Sequence, residues 1–183
     1  MKHLGTKTIH TARLVLRRFA FDDAQAMFNN WASDPEVTRF LSWPAHSGPD
    51  VSRLVINSWV EGYAQDDFYQ WAIEFDGQPI GSISVVAVNE RVNSVEIGYC
   101  IGKQWWHQGI TSEALTAVIK FFFEEVGADR VAARHDPANS NSGAVMRKCG
   151  MKYEGTLRSS YKCNHGICDV SWYSILRSEY FGR

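Results

Sequence analysis

The stretch Val95-Glu-Ile-Gly-Tyr-Cys-Ile-Gly-Lys-Gln-Trp-Trp-His-Gln-Gly-Ile-Thr-Ser-Glu-Ala-Leu115 constrains this chain more than any other. It reads as a strand over Val95–Ile101, a tight loop that includes Gly109, and the opening of the most strongly patterned helix in the sequence. From Ile110 to Val126 that helix places Ile110, Ala114, Leu115, Ala117, Val118, Phe121 and Phe122 on one broad face, and Gly127 is placed to end it. A helix that starts directly after a strand leaves its first N–H groups unpaired and aimed one way, and the helix dipole adds positive potential there. Such a corner holds an anion without needing a lysine, and a glycine in it lets the backbone approach closely. By itself one glycine before a helix also fits an ordinary loop.

Around this unit the sequence reads as one domain over residues 1–183, with no repeat, low-complexity tract or linker. Arg13–Phe19 alternates as a first strand, and Phe21–Trp31 and Val51–Tyr63 carry helical spacing. Tyr69–Phe75, Ile80–Val88 and Val95–Ile101 are strands separated by turns at Asp76–Pro79 and Asn89–Asn93. Gly98 inside the last of them suggests a bulge or a close backbone approach. Arg130–Arg134 reads as a buried strand, Asn141–Lys148 as a short helix, and Lys152–Tyr161 and Ile167–Leu176 as a final pair of strands around Asn164-His165-Gly166. The order β-α-α-β-β-β-α-β-α-β-β gives an α/β (α+β) class: a mixed, mainly antiparallel central sheet of about seven strands flanked by about four helices.

From a net charge of −1 no basic face can be inferred, so no nucleic-acid partner is expected. No apolar run reaches the length of a membrane span and the first residues lack an apolar signal core, so a cytoplasmic protein is expected, with no membrane partner. Four cysteines, Cys100, Cys149, Cys163 and Cys168, do not require disulfides in a chain of this length. A second polar run, Asp136-Pro-Ala-Asn-Ser-Asn-Ser142, precedes the short helix. Asn139, Ser140, Asn141 and Ser142 all suit a helix cap; four in succession exceed what one cap requires and could serve an amide-bearing ligand.

These two runs, with Thr11–Arg17, Ser33-Asp-Pro-Glu-Val-Thr38, Gly81, Glu96-Ile-Gly-Tyr99, Trp106–Leu115 and Lys148–Gly155, resemble the GNAT superfamily of acetyl-CoA-dependent N-acetyltransferases. They are most similar to the branch that contains the Rim-type ribosomal-protein N-terminal acetyltransferases. The resemblance covers nearly the whole chain. It implies a GNAT-like acyl-CoA N-acyltransferase fold and acetyl-CoA as cosubstrate, with the CoA pyrophosphate on the main-chain amides of His107, Gln108, Gly109, Ile110 and Thr111. It further implies that Tyr99, Cys100 and Ile101 meet the pantetheine arm and the acetyl carbonyl, and that Asn139 contacts pantetheine. His107 stands where that branch often has glycine, and Thr111 replaces a usual Gly or Ala.

The same resemblance points to Glu96 as the base that takes the amine proton through a water, and to Ser142 as the group that meets the departing thiolate, with Tyr99 and Tyr153 as alternatives. Glu96 also fits a solvated strand residue or an ion pair. The implied acceptor is an amine: a protein or peptide N-terminus of ribosomal type, or instead a small amine, amino acid or antibiotic. A catalytically silent acyl-CoA-binding module is the reading from another class. Direct transfer needs no metal and no covalent intermediate, and a monomer or homodimer is expected. Cys163, His165 and Cys168 offer three soft ligands in six residues but show no fourth, so a hairpin is preferred there to a zinc site. Trp31, Trp43, Trp59 and Tyr63 are read as core rather than pocket.

Overall fold

In the computed structural model of the protein, which describes residues 1–182, the alternation of the first strand is satisfied by a buried face. Leu14 and Leu16 of β2 (Leu14–Arg17) are buried while Val15 and Arg17 are not. β2 pairs with a two-residue strand, β1 (Ile9–His10), too short for periodicity to reveal. With β3 (Gln70–Phe75), β4 (Gln78–Asn89), β5 (Ser94–Ile101), β6 (Arg130–His135), β7 (Lys152–Cys163) and β8 (Gly166–Leu176) these form one eight-stranded sheet in the order β1-β2-β3-β4-β5-β6-β8-β7. Every pairing is antiparallel except β5 with β6. The sheet expected from the sequence is therefore present with one strand more, and two short helices are present that were not expected.

The helices divide between the two faces. On one side, α1 (Ala24–Met27, continued by a π-turn to Ala32), α2 (Pro35–Thr38) and α3 (Pro49–Gly62) cover a core of Phe19, Met27, Trp31, Ile56 and Ala72. Opposite, α4 (Ile110–Phe121) and α5 (Ser140–Lys148) cover Trp71, Ile73, Ile83, Val95, Ile97, Val131 and Ala133. Tyr69, Trp71, Phe121 and Phe122 meet there with ring centroids 4.9–6.4 Å apart, stacked or edge-on. The α-helical hydrogen bonding of α4 stops at Phe121, and a π-turn carries the chain to Val126 before Gly127 closes it at φ +80°. A sixth helix, α6 (Arg177–Phe181), follows β8.

Two irregularities mark the middle of the sheet. Val86 is an extra residue in β4: Val85 pairs with Ile97 and Ala87 with Glu96. The bulge lies beside Gly98, where a Cβ would come within 2.8 Å of Val86 Cγ1, so the glycine admits the bulged side chain. The second is the parallel ladder, which pairs β5 with β6 only from Ser94/Arg130 to Ile97/Ala133. Beyond that point the two strands part while each keeps its antiparallel neighbour on the outer side.

Candidate active site

The parting of β5 and β6 opens the sheet, and a cavity of about 1000 Å³ occupies the opening. Strand alternation assigns its two mouths. Tyr99 lies on the α4/α5 face with Ile97 and Ile101, whereas Glu96 and Cys100 lie on the α1/α3 face. Backbone direction alternates as well. The Gly102 N–H bonds to the Ile80 carbonyl across β4 at 2.9 Å, so two residues earlier the Cys100 amide also points to β4. Tyr99 and Ile101 turn theirs to the side that β6 vacates. The structure thus divides the three strand residues expected to meet the pantetheine arm: Tyr99 and Ile101 offer free-edge amides, while Cys100 offers only its side chain, which lies 3.4 Å from Ser82 Oγ and is pushed up in pKa by burial. The Ile101 carbonyl is already taken by the Trp106 indole at 2.9 Å.

At the cavity's α4 end the chain turns through two left-handed residues, His107 at φ +61° and Gly109 at φ +76°. The need for positive φ explains why a glycine suits position 107; histidine holds that conformation here at some strain. Among the described residues no protein acceptor meets the amides of His107, Gln108, Gly109, Ile110 or Thr111, the last two being the first residues of α4. His107, Gly109, Ile110, Thr111 and Ser112 line the cavity. Two cations that sequence reasoning did not single out flank this corner. The Lys148 ammonium and an Arg13 guanidinium nitrogen would lie 3.5 and 3.7 Å from a Cβ at Gly109. Arg13 is positioned by Glu113 at 2.7 Å and by the Gln108 carbonyl at 3.1 Å. Lys148 stands at the far end of α5, 39 residues from Gly109, so spacing alone carried no signal for it.

On the α1/α3 face Glu96 is largely buried and paired with Arg134 of β6, Nε to Oε1 2.7 Å. Burial raises its pKa above the usual carboxylate value and Arg134 opposes the rise without cancelling it. Arg134 in turn lies over the rings of Tyr161 and Trp172, 4.5 and 5.3 Å from their centroids. Trp43 and Trp59, expected in the core, line the cavity on this side; Trp31 is core, and Tyr63 is structural, its hydroxyl accepting from the Phe19 amide and donating to the Gln70 carbonyl. The amide nitrogen of Gln70, also in the lining, is buried without a partner among the described residues. Such a group costs stability unless a ligand satisfies it.

On the other face Tyr99 and Ser142 meet, hydroxyl to hydroxyl 3.0 Å, and the Tyr99 hydroxyl also lies 3.2 Å from the Ser142 carbonyl. Burial pushes the Tyr99 pKa up, so it stays a proton donor. Asn139 caps α5, its side-chain oxygen accepting from the Ser142 amide at 3.3 Å, and lines the cavity as well. Tyr153 is exposed on β7 and bonded to Thr156, outside the cavity lining. The site therefore has an anion-binding corner and a hydroxyl pair on one face, a carboxylate–guanidinium pair on the other, and free strand amides between them.

The fourth donor that the sequence left without a candidate is the Asp136 carboxylate, a harder ligand than the other three. That carboxylate and the donor atoms of Cys163, His165 and Cys168 all lie within 4.8 Å of one another.

Residues 13–152 match the acetyltransferase (GNAT) domain family. The uncharacterized N-acetyltransferase p20 of Bacillus licheniformis is 28% identical over 180 residues, covering 96% of this chain and 99% of that one. The [ribosomal protein uS5]-alanine N-acetyltransferase of Escherichia coli is 32% identical over 76 residues, 42% of this chain and 37% of its own. Among solved structures, the RimL ribosomal L7/L12 alpha-N-protein acetyltransferase in complex with coenzyme A superimposes with a TM-score of 0.84 at 19% identity, over 94% of this chain and 99% of that one. The sheet that parts between β5 and β6, the unpaired amides at the start of α4 and the family match agree: the chain belongs to the acetyltransferase (GNAT) family.

Proposed function

We propose that this acetyltransferase moves the acetyl group of acetyl-CoA directly onto a primary amine, and that the amine is the N-terminus of a protein of ribosomal type. The observation that carries the reading is the run of unpaired amides at residues 107–111, opening into the cavity where β5 leaves β6. Those amides, the helix dipole, Lys148 and Arg13 fit a diphosphate. The Tyr99 and Ile101 amides on the free strand edge fit an extended amide-bearing arm, with the Asn139 side chain facing it across the gap.

The roles derive from the two faces. The acceptor amine approaches from the α1/α3 side, where Glu96 takes its proton, directly or through one water. A carboxylate with a raised pKa is a better proton acceptor than a solvent-exposed one, and Arg134 holds it in place. A free strand amide donates to the carbonyl oxygen as negative charge develops there. The carbon–nitrogen bond forms and the carbon–sulfur bond breaks. The thiolate leaves on the opposite face, where the Tyr99–Ser142 hydroxyl pair donates a hydrogen bond or a proton to sulfur. Both hydroxyls belong to one network, so Tyr99 shares the role given to Ser142.

A protein N-terminus as acceptor is supported by the ribosomal substrates named for two of the relatives and by the unpartnered Gln70 amide, which suits a peptide carbonyl. A screen of N-terminal peptides against small amines and antibiotics, read as released CoA thiol, tests this. Turnover confined to small amines would replace the acceptor; no thiol release with any acceptor would leave an acyl-CoA-binding module.

A further inference from the structure

We infer that Asp136, Cys163, His165 and Cys168 form a structural site for a zinc-like divalent ion that fastens the β7–β8 hairpin to the end of β6. The four residues come from two separate places: Asp136 directly follows β6, while the other three belong to the hairpin 27 to 32 residues later. The β7–β8 register sets Cys163 and Cys168 near each other on one face and the β6–β8 pairing brings Asp136 to the same end, but no strand pairing places His165, which sits in the hairpin turn. Even so, their donor atoms lie within 4.8 Å of one another, with both cysteines and the Asp136 carboxylate largely buried.

Two of the internal distances are shorter than the matching edges of a tetrahedral zinc site, and none exceeds 4.8 Å. Cys163 Sγ and Cys168 Sγ are 3.4 Å apart, and His165 Nε2 and Asp136 Oδ2 are 2.6 Å apart. Around a zinc ion with ordinary bond lengths the corresponding edges are about 3.8 Å between sulfurs and about 3.3 Å between nitrogen and oxygen. Each pair needs to open by well under 1 Å to admit the ion. Two thiolates, a neutral imidazole and a carboxylate form a set that suits zinc by ligand type. All four positions are protein ligands, so the site is closed and does not take part in acetyl transfer.

The surroundings orient the ligands. The other Asp136 oxygen accepts from the Ala138 amide at 2.8 Å, and the His165 ring meets Phe40 edge-on with centroids 5.4 Å apart. Coordination needs both cysteines as thiolates, so two thiol protons leave as a divalent cation binds.

The location gives the ion a consequence. Between the metal-binding residues, Asn164 donates its amide to the Leu41 carbonyl at 3.0 Å, and its side chain reaches the carbonyls of Thr38 and Trp43 at 2.7 and 2.6 Å. Leu41, Trp43, Asp136 and Tyr161 all line the cavity. An ion at the hairpin tip therefore sets the wall on the acceptor side.

The test uses tag-free protein purified under reducing conditions. Metal analysis should find about one zinc per chain after reconstitution and dialysis. Cobalt reconstitution should give the visible bands of a tetrahedral ion together with a near-ultraviolet thiolate band. Cys168→Ser should roughly halve the thiolate band, leaving the Cys163 contribution, or weaken binding by about 10-fold or more, and Asp136→Asn should weaken it by about 10-fold or more. Cys149→Ser, at a buried cysteine just after α5 bonded to Ser112 and Thr116, should leave both signals intact and control for folding. Zinc should raise the Tm of wild type and a chelator lower it. Folded, reduced wild type that takes up no ion, or cobalt bands unchanged in both Cys168→Ser and Asp136→Asn, overturns the inference. So does an intact mass two hydrogens short in freshly reduced protein, which assigns the pair to a disulfide. None of these readouts depends on acetyl transfer.

Discussion

Replacing Gly109 with alanine separates the amide corner's role in binding from its role in folding. Gly109 sits at φ +76°, a conformation that costs an L-residue about 1–2 kcal/mol. In the free protein the added Cβ meets nothing closer than Lys148 Nζ at 3.5 Å, so strain alone is expected. In a chain of this size about 1–2 kcal/mol lowers Tm by about 2–8 °C. Gly77 supplies the control, because it has the same φ of +76°, lies in the β3–β4 turn and has open space around its Cβ position. Gly77→Ala should therefore lower Tm by a similar amount. The two variants diverge only with ligand. In the proposed complex a methyl at Gly109 would crowd a phosphate bound on the helix-start amides, and losing one hydrogen bond to a charged group costs about 1.5–3 kcal/mol, roughly 10- to 100-fold in Kd. Calorimetric titration with CoA should show that loss for Gly109→Ala and wild-type affinity for Gly77→Ala. Equal affinities in the two variants would refute the assignment of this corner to the diphosphate.

Other predictions concern the pairs around the cavity and one on the sheet. Glu96→Gln should lower kcat by about 100-fold or more at neutral pH and less at alkaline pH, where amines deprotonate unaided; an equal loss at every pH removes Glu96 as base. Because burial raises the Glu96 pKa and Arg134 lowers it, Arg134→Met should raise it further and move the acid limb of the kcat/KM profile to higher pH; a limb that stays in place or moves down contradicts the pair. Tyr99→Phe and Ser142→Ala should each reduce kcat with little change in KM for acetyl-CoA, and the double variant should lose less than the product of the two, since the hydroxyls are bonded to each other; full additivity would show that they act separately. Glu154 is held at about 2 by Arg130 and Ser174, so its stabilisation is present above its ordinary pKa and is lost as pH falls toward 2. Glu154→Gln should thus lower Tm at neutral pH, with the gap closing below about pH 4.5; a gap independent of pH would count against the network.

How much of the fold and site was legible beforehand depended on whether the information was local. The strand–loop–helix unit, the helix face that begins at Ile110 and the cap residues before α5 are written in neighbouring residues, because periodicity, glycine and capping act over a few positions. The same locality made Glu96, Ser142 and the amides of 107–111 nameable as candidates. Two-residue β1 and the π-turn that ends α4 escaped because neither leaves a period to detect.

The sequence by itself determined the longer strands and helices, and hence the sheet class, because each of these must bury an apolar face of the matching period; the short β1, α2 and α6 were not among them. Only the tertiary structure decided what meets across the gap. It turned Cys100's amide toward β4 and those of Tyr99 and Ile101 toward the opening, brought Lys148 and Arg13 to Gly109, paired Glu96 with Arg134, and set Asp136 beside Cys163, His165 and Cys168. These contacts join residues far apart in the chain, through the register of strands and the point at which β5 and β6 part. No spacing rule encodes that point, because it depends on pairings between strands far apart in the chain.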